Sequence, residues 1–129
     1  KYDIVVLLQP TSPLRTAKNI KEAVELFFEK DAYTLVSVCE TDHSIFWCNT
    51  LDETLSAKDF IKPEYRVPRQ QLPKSYTLNG AIYITKTDLL DNLDMYGDKS
   101  FVYIMEKENS IDIDCEIDFK LAALLSKKF

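Results

Sequence analysis

The feature that most constrains the fold is a strand–helix–strand pattern within the first 38 residues. Residues 4–8 (Ile-Val-Val-Leu-Leu) form a continuous apolar run, which is typical of a strand buried on both faces of a parallel sheet. Thr16 can cap a helix over 17–30, whose apolar side chains recur at intervals of three and four residues. A second apolar run follows at 34–38. The pattern predicts a βαβ unit with a parallel strand pair and a right-handed crossover, and so an α/β fold.

Length and charge narrow the class of protein. A chain of 129 residues is one domain or part of a larger one, and an apolar share of 46% is enough for a core. The net charge of −5 argues against general nucleic-acid binding, which needs a basic face. No apolar run approaches the ~18 residues of a membrane span, and Lys1-Tyr2-Asp3 does not resemble a signal peptide. The chain is therefore predicted to be soluble and cytoplasmic, with no membrane or nucleic-acid partner.

Glycine, cysteine and histidine are too scarce for several kinds of site. There are two glycines, where average usage would place roughly nine, so a glycine-rich phosphate cradle is absent from these 129 residues. The three cysteines form no C-x-x-C pair, which fits a reducing compartment. With His43 as the single histidine, a structural zinc site and Ser-His-Asp chemistry are both poorly supported.

The segment from about 40 to 76 breaks the regular pattern. It is mixed and polar and contains three prolines, although residues 46–49 (Phe-Trp-Cys-Asn) are strand-like in composition. Within 58–76, five basic residues stand against two acidic ones, inside an acidic protein. We expect this segment to be an excursion from the sheet. Regular structure resumes after Asn79-Gly80, a turn signal, and the later predicted elements are strands at 81–85 and 101–105, a short helix at 87–93, an extended stretch at 110–114 and a helix at 115–127.

The first motif with chemical potential follows the first strand directly. It reads Gln9-Pro-Thr-Ser-Pro-Leu-Arg15, and ligands of open α/β sheets bind outside the carboxyl ends of strands. Pro10 restrains Gln9 to an extended conformation, so the Gln9 amide could be presented rigidly to a ligand. The alternative is a proline-punctuated loop without a ligand.

The second motif is an acidic pair, Asp112 and Asp114, within Ser-Ile-Asp-Ile-Asp. In an extended backbone, residues two apart point to the same side. Two carboxylates on one side repel each other unless a cation lies between them, and Mg²⁺ binds through one or two carboxylates together with waters and phosphates. In the alternative interpretation, Asp114 is only the N-cap of the last helix and Asp112 is solvated.

The third motif is Arg69-Gln-Gln-Leu-Pro73, ten residues upstream of Asn79-Gly80. A guanidinium can hold a carboxylate or phosphate through two parallel hydrogen bonds. A surface arginine in a loop is the alternative. Tyr83, in the strand that follows Asn79, is by pattern alone more typical of half-buried packing than of a ligand contact.

Taken as a set, these motifs resemble the acylneuraminate cytidylyltransferases, which are the CMP-sialic acid synthetases and their legionaminate and pseudaminate relatives. The four motifs are Gln-Pro-Thr-Ser-Pro-Leu-Arg, Arg-Gln-x-x-Pro, Asn-Gly-Ala-Ile-Tyr-Ile and Ser-Ile-Asp-Ile-Asp, in this order. The resemblance implies part of a Rossmann-like nucleotidyltransferase sheet with a protruding subdomain, at about 40–76, that forms a homodimer. It also implies substrate binding by Gln9, Arg69, Asn79 and Tyr83, of which Gln9, Arg69 and Tyr83 match sugar-binding positions, and Mg²⁺ binding by the catalytic pair Asp112 and Asp114.

The same resemblance implies that residues 1–129 are the C-terminal part of the catalytic domain. The family begins with a loop rich in Gly, Arg and Lys that grips the CTP phosphates, and no such loop is present in this sequence. The implied reaction transfers CMP from CTP to a nine-carbon 2-keto sugar acid, and we expect this chain alone to be inactive. A non-catalytic dimerisation or sugar-binding module and a different sugar nucleotidyltransferase remain alternatives.

Overall fold

The computed structural model describes residues 1–127 and confirms the α/β class. Its strands and helices are β1 (Ile4–Leu7), α1 (Ala17–Glu29), β2 (Thr34–Glu40), β3 (Tyr76–Lys86), β4 (Ser100–Ile104) and α2 (Glu116–Ser126). The short helix predicted after β3 is a 3-10 helix, Thr87–Asn92. Asn79 and Gly80, predicted to form a turn, lie instead inside β3, where the positive φ of Gly80 distorts the strand without ending it.

The four strands form one mixed sheet in the order β1-β3-β2-β4. β1 pairs with β3 antiparallel, from Ile4 opposite Lys86 to Leu7 opposite Tyr83, and β2 pairs with β4 parallel. β1 and β2, which the sequence predicts to be a parallel pair, are not hydrogen-bonded to each other, because β3 lies between them. A local apolar pattern identifies strands but carries no information about a strand that arrives from a position more than 30 residues later in the chain.

β1 is also less buried than its sequence predicts. Val5 and Leu7 are exposed, Leu7 by 55%, while Ile4 and Val6 are half-buried against the core. The expectation of burial on both faces fails because β1 is an edge strand among the described residues. The same expectation is confirmed for β2, whose residues from Thr34 to Val38 are all buried.

α1 begins and packs as its sequence predicts. The Thr16 hydroxyl oxygen accepts a hydrogen bond from the Asn19 backbone N–H, and the Asn19 side chain accepts one from the Thr16 N–H, which together form a capping box. Ala23 and Phe27 face the sheet and are almost completely buried. The core that they enter contains residues from all four strands or the segments beside them: Ala32, Leu35, Ala81, Ile82, Ile84, Tyr103 and Met105, with Ile4 and Val6 at its margin.

The chain divides into two compact units. The sheet unit comprises residues 1–39 and 78–127, and the inserted unit is Glu40–Thr77. The inserted unit contains three 3-10 turns, Ile45–Trp47, Pro63–Tyr65 and Arg69–Gln71. The strand-like segment 46–49 is thus a 3-10 turn and the residues after it, and the ring of Phe46 stacks on that of Tyr65 at 4.2 Å between centroids. Within residues 1–127, no helix has the length and apolar character required to cross a membrane.

Candidate functional site

The loop from Gln9 to Arg15 is held against the middle of β3 by hydrogen bonds. One guanidinium nitrogen of Arg15, Nη1, donates to the Gln9 carbonyl at 3.1 Å and to the Ala81 carbonyl at 2.8 Å. Ser12 is completely buried, and its hydroxyl donates to the Asn79 carbonyl at 3.4 Å. Burial keeps the pKa of Arg15 below its ordinary value, but the group remains a cation. These contacts hold the end of β1 against the distorted part of β3.

Gln9 and Asp112 converge on Gly80. A Cβ atom at Gly80 would lie 2.6 Å from Gln9 Oε1 and 3.4 Å from Asp112 Oδ2, so the absent side chain leaves room for both polar groups. The φ angle of Gly80 is +68°, which is a backbone conformation that glycine adopts without steric cost. The structure therefore brings together two of the predicted site residues, from separate motifs, at one point of β3.

Asp112 has an unused hydrogen-bonding atom. Its Oδ1 is buried and, within the described part of the chain, has no hydrogen-bond partner. A buried acceptor without a partner is costly in free energy, and such atoms in native proteins usually await a ligand, a water or an ion. This atom therefore fits the prediction that Asp112 faces a cation.

Asp114 differs from Asp112 in its surroundings. Its side chain is exposed, and its backbone N–H donates to Asp118 Oδ2 at 3.1 Å. The N-cap of α2 is Cys115, whose own N–H also donates to Asp118 Oδ2. The alternative interpretation of Asp114 as the helix cap is therefore wrong, because Asp118 supplies the capping carboxylate. No group of three or more His, Cys, Asp or Glu residues among 1–127 could hold a metal, so a cation here would depend on fewer protein ligands.

Asn79 is buried, and every hydrogen-bonding position of its amide is used within the protein. Its Oδ1 accepts from the Ser37 hydroxyl at 2.6 Å and from the Ala81 N–H at 3.2 Å. Its Nδ2 donates to Ser110 Oγ at 3.0 Å and to Met105 Sδ at 3.3 Å. An amide side chain has two acceptor and two donor positions, so a ligand would have to displace one of these partners. Substrate binding by Asn79 stays a prediction.

Tyr83 lies three residues beyond Gly80 and is half-buried. Burial is the main cause that raises the pKa of its phenol, and the charges of Tyr96 and Asp112 raise it further. The phenol therefore stays protonated at neutral pH. Tyr83 lines an apolar cleft of about 250 Å³ together with residues of β1, of β3 and of the segment after β3, namely Val5, Leu7, Ile84, Thr85, Leu90, Leu93 and Met95.

Arg69 lies in the inserted unit, at the wall of a different cleft of about 350 Å³. Its side chain is exposed, and Nη2 donates to the Thr41 carbonyl at 3.1 Å. Lys74 lines the same cleft and forms an ion pair with Glu40 at 3.0 Å, which raises the pKa of Lys74. Two cations and one anion therefore face this cleft, an arrangement that suits an anionic ligand.

Sequence reasoning missed the residues that support the site. Arg15 is the last residue of one motif and Ser110 is the first residue of another, but nothing in the sequence indicated their supporting hydrogen bonds. Ser37 carried a usable signal, since it is a hydroxyl inside the apolar run of β2 and a buried polar group requires a partner. Lys74 carried no signal that separated it from other loop lysines.

Sequence comparison finds known proteins that are similar to this chain over nearly its whole length. The chain is 36% identical over 129 residues to an N-acylneuraminate cytidylyltransferase of Escherichia coli, which covers 98% of this chain and 30% of that protein. It is 34% identical over 130 residues to a CMP-N,N'-diacetyllegionaminic acid synthase of Legionella pneumophila, covering 96% of this chain and 54% of that protein. It is 29% identical over 129 residues to the post-translational flagellin modification protein B of Campylobacter coli, covering 99% and 54%.

No protein-family model matches the chain. The relatives are much longer, and the chain spans about half of the length of two of them and less than a third of the third. The similarity nevertheless runs through all four motifs, since it covers nearly every residue of this chain. The resemblance that the motifs suggested is thus confirmed: this chain is a relative of the acylneuraminate cytidylyltransferase family over nearly its whole length.

Proposed function

We propose that the protein to which this chain belongs transfers CMP from CTP to the anomeric hydroxyl of a nine-carbon 2-keto sugar acid and releases pyrophosphate. The observation that carries the proposal is the convergence of Gln9 and Asp112 on Gly80, with Asp112 Oδ1 left without a partner. These residues come from motifs that lie in the region shared with N-acylneuraminate cytidylyltransferases and a CMP-legionaminic acid synthase.

The acidic pair would hold Mg²⁺, with Asp112 and Asp114 as its protein ligands. A carboxylate oxygen without a protein partner is the donor type that this hard cation prefers, and the exposure of Asp114 leaves it free to turn toward a ligand. When bound, Mg²⁺ supplies charge neutralisation for the phosphates and lowers the pKa of an attacking hydroxyl. Transfer of a nucleotidyl group depends on positioning and charge stabilisation, so no cysteine or histidine nucleophile is required.

We assign sugar-acid binding to Gln9 and Tyr83 within the sheet unit and, separately, to Arg69 within the inserted unit. Gln9 offers an amide at the end of β1, held in place by the Arg15 contact to its carbonyl. Tyr83 offers a protonated phenol from β3. Arg69 offers a guanidinium fork whose charge matches the sugar carboxylate, in a stretch of 129 residues whose net charge of −5 repels that carboxylate.

The same proposal assigns CTP phosphate binding and homodimer formation to different parts of the complete protein. The 129 residues contain no glycine-rich loop for the triphosphate, and the relatives contain about twice or three times as much chain. We therefore assign CTP phosphate binding to residues outside this sequence and expect the chain alone to be inactive. We assign homodimer formation to the inserted unit, Glu40–Thr77, which exposes Ile45, Leu51 and Leu55.

The decisive experiment is steady-state kinetics of the complete protein with Arg69→Lys. Lysine keeps the charge but loses the planar fork, and a charge-assisted hydrogen bond is worth ~1.5–3 kcal/mol. The expected result is roughly a ten- to hundredfold fall in kcat/KM for the sugar acid, with the KM for CTP nearly unchanged. Arg66→Lys is the matched control, because Arg66 is an exposed arginine of the same unit that does not line the cleft.

An equal loss for both substrates would move Arg69 to the triphosphate, and no loss for either would remove it from the site. The metal assignment is tested separately with Asp112→Asn, for which turnover should collapse at every Mg²⁺ concentration. Asp98→Asn, an exposed aspartate of the same unit, should retain normal turnover. Pyrophosphate release by the 129-residue chain alone, well above a blank, would overturn the assignment of phosphate binding to residues outside it.

A further inference from the structure

We infer that Ser37, Asn79 and Ser110 are positioning residues, a buried hydrogen-bonded chain that holds Asp112 beside Gly80 and Gln9. The inference rests on the proposed function in so far as Asp112 is the residue that faces the cation. It gives Asn79 a different role from the substrate contact that the family resemblance implies. None of the three side chains needs to touch a ligand for this role.

The chain of hydrogen bonds crosses the sheet unit from its centre to the acidic motif. The Ser37 hydroxyl, on β2, donates to Asn79 Oδ1 at 2.6 Å and accepts from the Ile82 N–H at 2.8 Å. Asn79 Nδ2, on β3, donates to Ser110 Oγ at 3.0 Å, and Ser110 Oγ donates to the Glu106 carbonyl at 2.7 Å. All three residues are less than 10% exposed. Each polar atom of these side chains is paired, so the geometry of the chain is strongly specified.

Asp112 is held between two anchors. Two residues before it, Ser110 is bonded to the Asn79 amide. One residue after it, the Ile113 N–H donates to the Thr11 carbonyl at 2.8 Å. Asp112 itself makes no hydrogen bond through its buried Oδ1. The placement of Asp112 beside Gly80 therefore depends on these two hydrogen bonds. The Asn79–Ser110 hydrogen bond is made by side chains, and the Ile113–Thr11 hydrogen bond is made by backbone groups.

The same residue, Asn79, also connects the anchors to Gln9. Its backbone carbonyl accepts from Ser12, inside the loop that begins at Gln9, and its neighbour Gly80 leaves the space beside which Gln9 Oε1 and Asp112 Oδ2 both lie. Residues that orient metal-binding side chains commonly alter cation affinity about 10–100-fold when changed. We expect a loss of cation affinity of this size when the series of hydrogen bonds is interrupted by replacing either Ser37 or Ser110.

The test compares Ser110→Ala and Ser37→Ala with Thr34→Val in the complete protein. Thr34 is a matched control, because it is a buried hydroxyl on the same strand as Ser37 and its hydrogen bonds go to Ser100 and Met95. Two quantities are measured by NMR. One is hydrogen exchange of the Ile113 N–H relative to that of the Ala32 N–H, which bonds to the Phe27 carbonyl. The other is the affinity for Mn²⁺, from broadening of the Gln9 side-chain amide signals.

The serine variants should raise the Ile113-to-Ala32 exchange ratio about tenfold and weaken Mn²⁺ binding about 10–100-fold. Thr34→Val should leave both quantities within about twofold of the unaltered chain, even if it lowers overall stability. A residue that only stabilises the fold would raise the exchange of both amides together. If Ser110→Ala and Ser37→Ala behave as Thr34→Val does, the inference is wrong.

A fourth variant, Asp112→Asn, separates this inference from the proposed function. Loss of Mn²⁺ binding in Asp112→Asn supports the cation site. If Asp112→Asn binds Mn²⁺ as the unaltered chain does, or if neither binds it, the cation site fails. The exchange ratio then still decides whether Ser37, Asn79 and Ser110 position the segment around Asp112, since it requires no ligand.

Discussion

The two units of this chain are ordered by different forces. Every buried apolar residue among the described residues lies in the sheet unit, from Leu14 in the loop after β1 to Ala122 in α2. The inserted unit buries only two residues, Ser44 and Ser75, and both are polar. The sheet unit is therefore held by removal of apolar surface from water, whereas the inserted unit depends on hydrogen bonds and on partly covered aromatic rings.

One segment of the inserted unit, from Asp52 to Lys58, is organised by contacts between residues close in sequence. The Thr54 N–H donates to Asp52 Oδ1, the Ser56 N–H to Thr54 Oγ1, and the Lys58 N–H to Ser56 Oγ, each two residues apart. Such side-chain turns specify the local backbone path, but each contributes little stability in water. We therefore expect the inserted unit, which carries a proposed binding surface, to open locally at a lower free-energy cost than global unfolding.

The difference between the two units is tested first by the same substitution, phenylalanine to alanine, in each of them. Phe27→Ala, in the core and 1% exposed, should lower the free energy of unfolding by about 3–5 kcal/mol, because it removes a fully buried ring and leaves a cavity. Phe46→Ala, which removes a half-buried ring stacked on Tyr65, should cost about 1–2 kcal/mol.

Two probes report the two units separately during urea unfolding. Trp47 is the single tryptophan and lies in the inserted unit, so its fluorescence reports that unit, while far-ultraviolet circular dichroism reports the helices and strands. Phe46→Ala should shift the fluorescence transition more than the dichroism transition. Coincident transitions in all variants would mean that the chain unfolds as one cooperative body.

Two glycines of the sheet unit, Gly80 and Gly97, allow the cost of a positive φ and of a close contact to be measured. Gly80→Ala should cost about 1–2 kcal/mol from the left-handed backbone alone, and the new methyl would displace Gln9 Oε1, which lies 2.6 Å from the Cβ position. Gly97→Ala is the control, because its Cβ would meet the movable side chain of Asp94 without a positive φ. Chemical denaturation measures the cost, and a shift of the Gln9 side-chain NMR signals should accompany only the first variant.

The hydrogen bond of Trp47 tests how much a single polar contact contributes to the inserted unit. Its Nε1–H donates to the Tyr65 carbonyl at 2.8 Å and joins two of the 3-10 turns. Trp47→Phe removes this donor and keeps a large aromatic ring, so we expect a loss of about 0.5–1.5 kcal/mol. Because the variant lacks the fluorophore, amide hydrogen exchange of the Tyr65 region provides the measurement. Unchanged exchange there would show that apolar packing carries this unit after all.

The smallest expected effect concerns charges. Lys99 and Lys86 bond to Asp31 across long sequence distances, and these contacts lower the pKa of the Asp31 carboxyl below its ordinary value. In Asp52 of the inserted unit the pKa is lowered instead by hydrogen bonds from Thr54, close in sequence. Asp31→Asn should cause a small fall in Tm at neutral pH that added salt removes, whereas Asp52→Asn should show no salt dependence.

The pH dependence follows from the direction of the shift. Because the folded-state pKa of Asp31 is depressed, its contribution is complete above the pKa of the unfolded chain, near 3.8, and is lost as the pH falls through the lower, folded value. The Tm difference between Asp31→Asn and the unaltered chain should therefore vanish in strong acid. A difference that persists there would point to packing around Asp31 instead of its charge.

Much of the local structure could be predicted because its causes are local. The spacing of apolar residues and the Thr16 cap predict α1 almost to the residue, and the apolar run 34–38 predicts the buried part of β2. The inserted segment was visible as a change in composition and charge, and its bounds agree with the compact unit Glu40–Thr77. Gln9 and Asp112 were predicted as site residues because strand ends and paired carboxylates carry recognisable chemistry, and the structure brings both beside Gly80.

The sequence by itself determined the elements, the α/β class and the relationship to cytidylyltransferases, since periodicity, capping and motif order are properties of the chain alone. Tertiary contacts were required to establish that β3 separates β1 from β2 and that Asn79 has no free hydrogen-bonding position. These two outcomes depend on partners far apart along the chain, such as Lys86 for Ile4 and Ser37 for Asn79. Because the free energy of a buried polar group depends on which partner reaches it, its role is settled by the packing of distant segments and cannot be assigned from neighbouring residues.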